Sequence, residues 1–348
     1  MKRLGRLARS LWVRLVVTAG LLALVATQVD WEKAWHRVEK GSWAWFAAAA
    51  LLFATAQVFG AFRWHLLVVA AGIAARWPES CRAYAIGLFF NNFLPTSIGG
   101  DAARALVIGR PTGRLPRAFT SVVLDRTTSF LCLLAVSWIM LATNPGPVPG
   151  SLIAGLAAAT GAVTAAVTLL LLMGLRSRGR LVSWLPEGVR RFGRDAREAL
   201  RVSMASRRLL AGATGLGLVV QVFAILSFWA VARSVGLHLP LSLMGVAASL
   251  ILLIALMPIS IAGFGVREGA FAALLAEVGV SSGDAVLLSL LTVASVAIAS
   301  LPGGVALALR HERLETTEEI LEDAYEDAPA PASRASSEPV GDRAGTPR

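Results

Sequence analysis

The sequence predicts an all-α polytopic membrane protein, with about six full transmembrane helices and two re-entrant helical hairpins in an inverted repeat. Three observations carry that expectation. Hydrophobic residues make up 56% of the chain and charged residues 16%, where soluble domains average about 25% charged. Several apolar runs reach the ~20 residues that a bilayer requires of a helix. Finally, one decapeptide occurs twice, as PTSIGGDAAR at 95–104 and PISIAGFGVR at 258–267. Both copies fit P-x-S-I-x-G-x-x-x-R, and each lies between an apolar helical run and a second, short one.

The elements follow in order. Residues 1–10 carry Lys2, Arg3, Arg6 and Arg9 ahead of an apolar run, Leu11 to Val29. That run is long for a signal peptide and no clear A-x-A site follows, so it reads as an uncleaved first span with its N-terminus inside. Trp31, Trp35, Trp43 and Trp45 suit the outer water–lipid boundary. The second span covers about 43–69, with Arg63 and His65 toward its inner end, where snorkelling to the interface is the plainest role for Arg63. Tyr84 to Leu94 is too short to cross, and Pro95 breaks it. A second short helix restarts over Ala102–Ile108, so 84–109 reads as a re-entrant hairpin. Such backbone is tolerated at membrane depth only inside protein or beside a watery cavity.

Ala118 to Ala142 is a span containing Asp125-Arg126, for which a buried pair with one another is one reading. Ser151–Leu175 and Leu209–Arg233 are further spans. Between them, 176–208 reads as an Arg-rich cytoplasmic loop. Leu243–Met257, broken at Pro258, and Arg267–Val278 form a second hairpin, and Ala285–Leu309 is the last span. The remainder, 310–348, is acidic and then rich in Pro, Ala and Ser, and is expected to be a disordered cytoplasmic tail.

The positive-inside rule organises this count. It places the Arg-rich segment and both termini in the cytoplasm, and the outer loops 143–150 and 235–242, free of Lys and Arg, outside. The hairpins then enter from opposite faces, which makes 43–142 and 209–309 the two units of an inverted repeat within a membrane domain at 1–309. Broken helices meeting near the midplane of such repeats are a recurring transporter architecture. The net charge of +11 accordingly points to anionic lipid at the cytoplasmic face rather than nucleic acid. The two cysteines, Cys81 and Cys132, have no paired spacing and read as small apolar residues.

The repeated decapeptide concentrates the candidate chemistry. Gly99, Gly100, Gly263 and Gly265 permit tight turns and close backbone approach. The returning helices present free N–H groups at their starts, a site for phosphate. Ser97 and Ser260 add hydroxyl donors, and Arg104 and Arg267 add planar, permanently charged forks. An Arg at membrane depth costs about 2.5–3.5 kcal/mol on insertion scales, so each needs a partner. Asp101, Asp125 and Glu268 are the candidate counter-charges, or alternatively ligands for a headgroup amine, with Arg126 beside them. Asn91, Asn92 and Arg63 are candidate polar residues of the cavity; the two asparagines suit either broken backbone or a headgroup. The bland alternative is that the Pro-Gly breaks only pack two hairpins, but packing alone does not require the same Ser and Arg at the same offset twice. The chain has no P-loop, HExxH, Cys/His cluster or G-x-S-x-G elbow, so no cofactor or metal is expected.

The stretches NNFLPTSIGGDAAR (91–104), VLDRTTSF (123–130) and PISIAGFGVREGAF (258–271) resemble the flippase-like membrane domain of lysylphosphatidylglycerol synthases and their stand-alone relatives. The similarity covers most of 10–310. It implies a domain that moves a lipid between leaflets, in that family an aminoacylated phosphatidylglycerol. The full-length synthases also carry a soluble aminoacyl-transfer domain, and this chain is expected to be a stand-alone member without it. The resulting expectation is a transporter for a phospholipid or lipid-linked headgroup, in a bacterial-type inner (plasma) membrane, with no nucleic-acid partner and with homo-oligomerisation left open. A membrane-embedded transferase for a lipid-linked sugar or headgroup, and a non-transporting scaffold, are the alternatives.

Overall fold

The computed structural model describes residues 41–93, 99–143, 146, 148–176, 187–255 and 265–308. The first expected span, the tail, and Pro95, Ser97, Pro258, Ser260 and Gly263 of the decapeptides lie outside these residues. The described residues form ten helices and no strand. They are α1 (Trp43–Ala70), α2 (Trp77–Phe93), α3 (Gly99–Thr112), α4 (Leu115–Thr143), α5 (Gly150–Arg176), α6 (Glu187–Ala205), α7 (Arg207–Ser234), α8 (Leu241–Ala255), α9 (Val266–Ala276) and α10 (Ser282–Ala308). Five of them, α1, α4, α5, α7 and α10, are long and apolar enough to cross a bilayer. The chain is therefore a multi-pass helical membrane protein.

Four further helices are short, and of these α8 is apolar. α2 has 17 residues, α3 14, α8 15 and α9 11. At about 1.5 Å per residue none reaches the ~30 Å of a hydrocarbon core. Helix α2 starts at Trp77, well before the expected Tyr84, because the polar turn at Glu79 to Arg82 continues the helix outward from the apolar stretch.

Helices α1 and α7 pack antiparallel along their length. The Ser42 amide, just before α1, donates to Ser234 O at the end of α7 (2.9 Å). Small residues stand in the contact, with Ala49 meeting Ser227 and Gly217 facing Arg63, which lets the backbones approach. Ser227 Oγ bridges them by donating to Ala49 O at 2.8 Å. The pair is flanked by two similar sets. α2 packs on α3, α3 on α4 and α4 on α8; correspondingly, α8 packs on α9, α9 on α10 and α10 on α2. α4 also contacts α7, as α10 contacts α1.

Hydroxyls and glycines mediate these contacts. Ser137 of α4 lies within hydrogen-bond distance of Gly245 O (2.8 Å) and Ser249 Oγ (2.7 Å) of α8. A Cβ on Gly303 of α10 would lie 2.0 Å from Ala85 O of α2, so the helix after Pro302 rests directly on the α2 backbone.

One expectation is corrected here. The Arg-rich segment 176–208, read as a loop, contains the helix α6 over Glu187–Ala205. Its Ala199, Leu200 and Ser203 are buried at helical spacing while Arg190, Arg191, Arg194 and Arg201 face outward. Phe192 tilts against Phe119 of α4, and Thr120 Oγ1 reaches Ala196 O. The density of Arg masked that periodicity.

Candidate functional site

Helix α3 begins at Gly99, after the first Pro break, and its open N-terminus is held by α2. Asn91 Oδ1 accepts from the Gly100 amide at 3.1 Å. Asn92 Nδ2 instead donates to Leu88 O (3.0 Å) within its own helix. Both asparagines thus satisfy backbone, and both line the cavity described below. Replacing Asn91 with Ala removes a cap and is expected to lower stability by about 0.5–2 kcal/mol. Chemical unfolding of the purified protein in detergent would measure it, and a change near zero would show that the cap is not needed.

Helices α2 and α3 touch through glycine. A Cβ on Gly100 would lie 2.0 Å from Gly87 O, and one on Gly87 would lie 3.1 Å from Arg104 Cβ. Gly87 therefore clears the path along which the Arg104 side chain runs.

That side chain is the centre of a buried chain of charges. Arg104 Nη1 meets Asp125 Oδ2 and its Nη2 meets Asp101 Oδ1, each at 2.9 Å. Asp125 Oδ1 binds Arg63 Nη2 at 2.6 Å, and Asp101 Oδ2 accepts from Arg126 Nε at 2.6 Å. The order is Arg63, Asp125, Arg104, Asp101, Arg126, alternating in sign. Arg63, Arg104 and Asp125 are only 3–4% exposed. The Arg104 guanidinium also lies over Trp64 and Tyr84, 5.1 and 5.5 Å from their ring centroids. Tyr84 Oη donates to Gln57 Oε1 at 3.0 Å.

Two expectations change at this point. Arg63 does not snorkel to an interface; it is buried and bound to Asp125, because a carboxylate on α4 lies within reach and the C-terminal half of α1 packs against protein. Asp125 and Arg126 do not pair with one another. Successive helical residues point about 100° apart, so Asp125 turns to Arg63 and Arg104 while Arg126 turns to Asp101.

The second decapeptide builds a smaller version of the same arrangement. Gly265 has φ +81°, in the left-handed region that favours glycine, and leads into α9. Its amide donates to Glu268 Oε2 at 2.6 Å. Glu268 Oε1 accepts from Arg267 Nη2 at 2.8 Å and from Ser289 Oγ at 3.1 Å. Glu268 is 1% exposed, so its charge is matched by Arg267 and by the free donors of the helix start.

Both arrangements border one cavity of about 360 Å³. Gln57, Arg63, Tyr84, Asn91, Asn92, Asp101, Arg104, Asp125, Arg126, Gln221 and Arg267 line it with polar groups. Phe53, Ile225, Phe228, Ile251, Leu252 and Val296 line it with apolar ones. Its wall takes residues from α1–α4 and from α7–α10, so it lies between the two sets of helices. The volume is within the ~300–1,000 Å³ range of ligand sites. Gln57, Tyr84 and Gln221 were absent from the residues picked out in the sequence. Tyr84, Gly87 and Asn91 do share an i, i+3, i+7 spacing, a signal available in the sequence for one face of α2.

Comparison with known proteins adds one match. The family model described as "Lysylphosphatidylglycerol synthase TM region" matches residues 11–305. No curated protein matches the chain.

Proposed function

The chain belongs to the lysylphosphatidylglycerol synthase TM-region family, and from that premise we propose that it moves a phospholipid or lipid-linked headgroup between leaflets. The observation that carries this reading is the amphipathic cavity bordered by Arg104 from one decapeptide and Arg267 from the other. A lipid has a charged end and an apolar end, and the lining offers both. The helix packing supports an inverted repeat in which α1–α4 correspond to α7–α10, since α2 on α10 mirrors α8 on α4 and α4 on α7 mirrors α10 on α1. In this reading α2–α3 and α8–α9 are hairpins entering from opposite faces. Rocking of one unit against the other about the α1–α7 pair exposes the cavity to each leaflet in turn. Charge asymmetry favours a plasma (inner) membrane setting with both termini cytoplasmic. Ser97, Ser260, Gly99 and Gly263 would assist through hydroxyls and close backbone, whereas the Gly100 and Gly265 amides, expected to be free for phosphate, are taken by Asn91 and Glu268. A transferase reading has less support, because Asp101 and Asp125 are each held by two Arg and a general base needs a carboxylate free to take a proton.

The test is translocation of labelled phospholipid by purified protein in vesicles, wild type against Arg104→Ala/Arg267→Ala. Loss of at least ~90% of the protein-dependent rate is expected, roughly 1.4 kcal/mol or more in barrier. An unchanged rate in a folded double variant would refute the reading.

A further inference from the structure

The cavity's own charges point to a narrower class of lipid. Its lining contains the guanidinium groups of Arg63, Arg104, Arg126 and Arg267 and the carboxylates of Asp101 and Asp125. Glu268, behind Arg267, supplies one further negative charge. Among the described residues one positive charge is left in excess. No carboxylate of the site is idle among the described residues: Asp125 is held by Arg63 and Arg104, Asp101 by Arg104 and Arg126, and Glu268 by Arg267, Ser289 and the Gly265 amide. The segments 94–98 (LPTSI) and 256–264 (LMPISIAGF) bring no ionisable side chain.

Four guanidinium groups bring more N–H donors than three carboxylates can accept. Arg63 is 3% exposed and lines the cavity; among the described residues its Nε and Nη1 and Arg104 Nε have no hydrogen-bond partner, and Asp101 Oδ1 and Asp125 Oδ1 meet only the Arg ion pairs. Buried donors left unmatched are costly unless something accepts from them. A phosphate oxygen accepts from such forks with matching geometry. An ammonium group has nothing to offer them and finds no free carboxylate.

We infer that the cavity takes a lipid whose headgroup is a plain phosphate ester of net negative charge, and discriminates against an aminoacylated, net cationic headgroup. This rests on the translocation reading for its role, but the charge selectivity of the site stands or falls separately. Phosphate balances the excess charge. A lysyl ester would instead bring two ammonium groups beside a cluster already positive.

The experiment uses the full chain in phosphatidylcholine vesicles with trace chain-labelled phosphatidylglycerol or lysylphosphatidylglycerol, and native mass spectrometry of the same protein offered both lipids equally. Phosphatidylglycerol is expected to be retained, and moved, at least about tenfold better, the scale of a single well-placed charge. The near-isosteric Gln57→Glu adds a carboxylate to the lining and is expected to narrow that preference at least threefold. Arg63→Gln, which removes the excess charge, is expected to lower phosphatidylglycerol retention. Equal or better handling of lysylphosphatidylglycerol by wild type overturns the inference. So does displacement of all lipid by excess inorganic phosphate, which would assign the site to a free anion. Selective retention with no movement of either lipid would uphold the selectivity and refute translocation, and retention of neither would refute the lipid site itself.

Discussion

Asp125→Asn is expected to destabilise the protein more than any other single carboxylate substitution. The side chain keeps its shape and loses its charge, leaving Arg63 and Arg104 buried with only Asp101 as a counter-ion, 2.9 Å from Arg104. Removing one partner of a buried ion pair typically costs about 3–5 kcal/mol, because the remaining charge has lost both water and its mate. The unfolding midpoint in mild detergent should fall accordingly. Arg63→Gln/Asp125→Asn should recover part of the loss, since the double variant leaves one unpaired cation fewer. A single-variant change below about 1 kcal/mol would mean that water reaches the network and screens it.

Gly100→Ala is expected to be the most damaging one-carbon addition in the decapeptides. Its Cβ would lie 2.0 Å from Gly87 O and 2.6 Å from Asn91 Oδ1. Neither neighbour can turn away easily, since one is helix backbone and the other holds the α3 start. Overpacking costs about 1–3 kcal/mol in well-packed interiors. Opening the α2–α3 contact would also move Arg104 off Asp125, so translocation should fall at least ~10-fold even where the variant folds. Gly269→Ala is the matched control. A Cβ there meets nothing within 4 Å, and Ala in place of Gly inside α9 should stabilise by about 0.5–1 kcal/mol. Thermal unfolding and vesicle assays on both variants would separate the cases; equal effects would show that the glycines matter only as flexible links.

The site was partly legible in the sequence. Repetition exposed Gly100, Arg104 and Arg267, and proximity in sequence exposed Asp101 and Glu268 as their partners. Arg63 and Asp125 are 62 positions apart, and nothing local to either shows that α1 and α4 lie side by side. Arg63 therefore read as interfacial or as a cavity residue, and Asp125 as paired either with its chain neighbour or with a decapeptide Arg, and only the packing of α1, α3 and α4 selects between them. The cap from Asn91 to Gly100 spans the Pro break, which is why its two possible roles could not be separated by composition.

What the sequence determined by itself was the class of solvent and the punctuation of the chain. Apolar run length, Pro and Gly positions and the side preference of Lys and Arg are one-dimensional properties, and they set the long helices and the two breaks. Which charges neutralise which, and on which side one is left over, was decided only by the tertiary structure. Ion pairs at depth form between whichever helices small residues and hydroxyls bring into contact, and that pairing turns seven ionisable side chains into a cavity with every carboxylate engaged and buried guanidinium donors to spare.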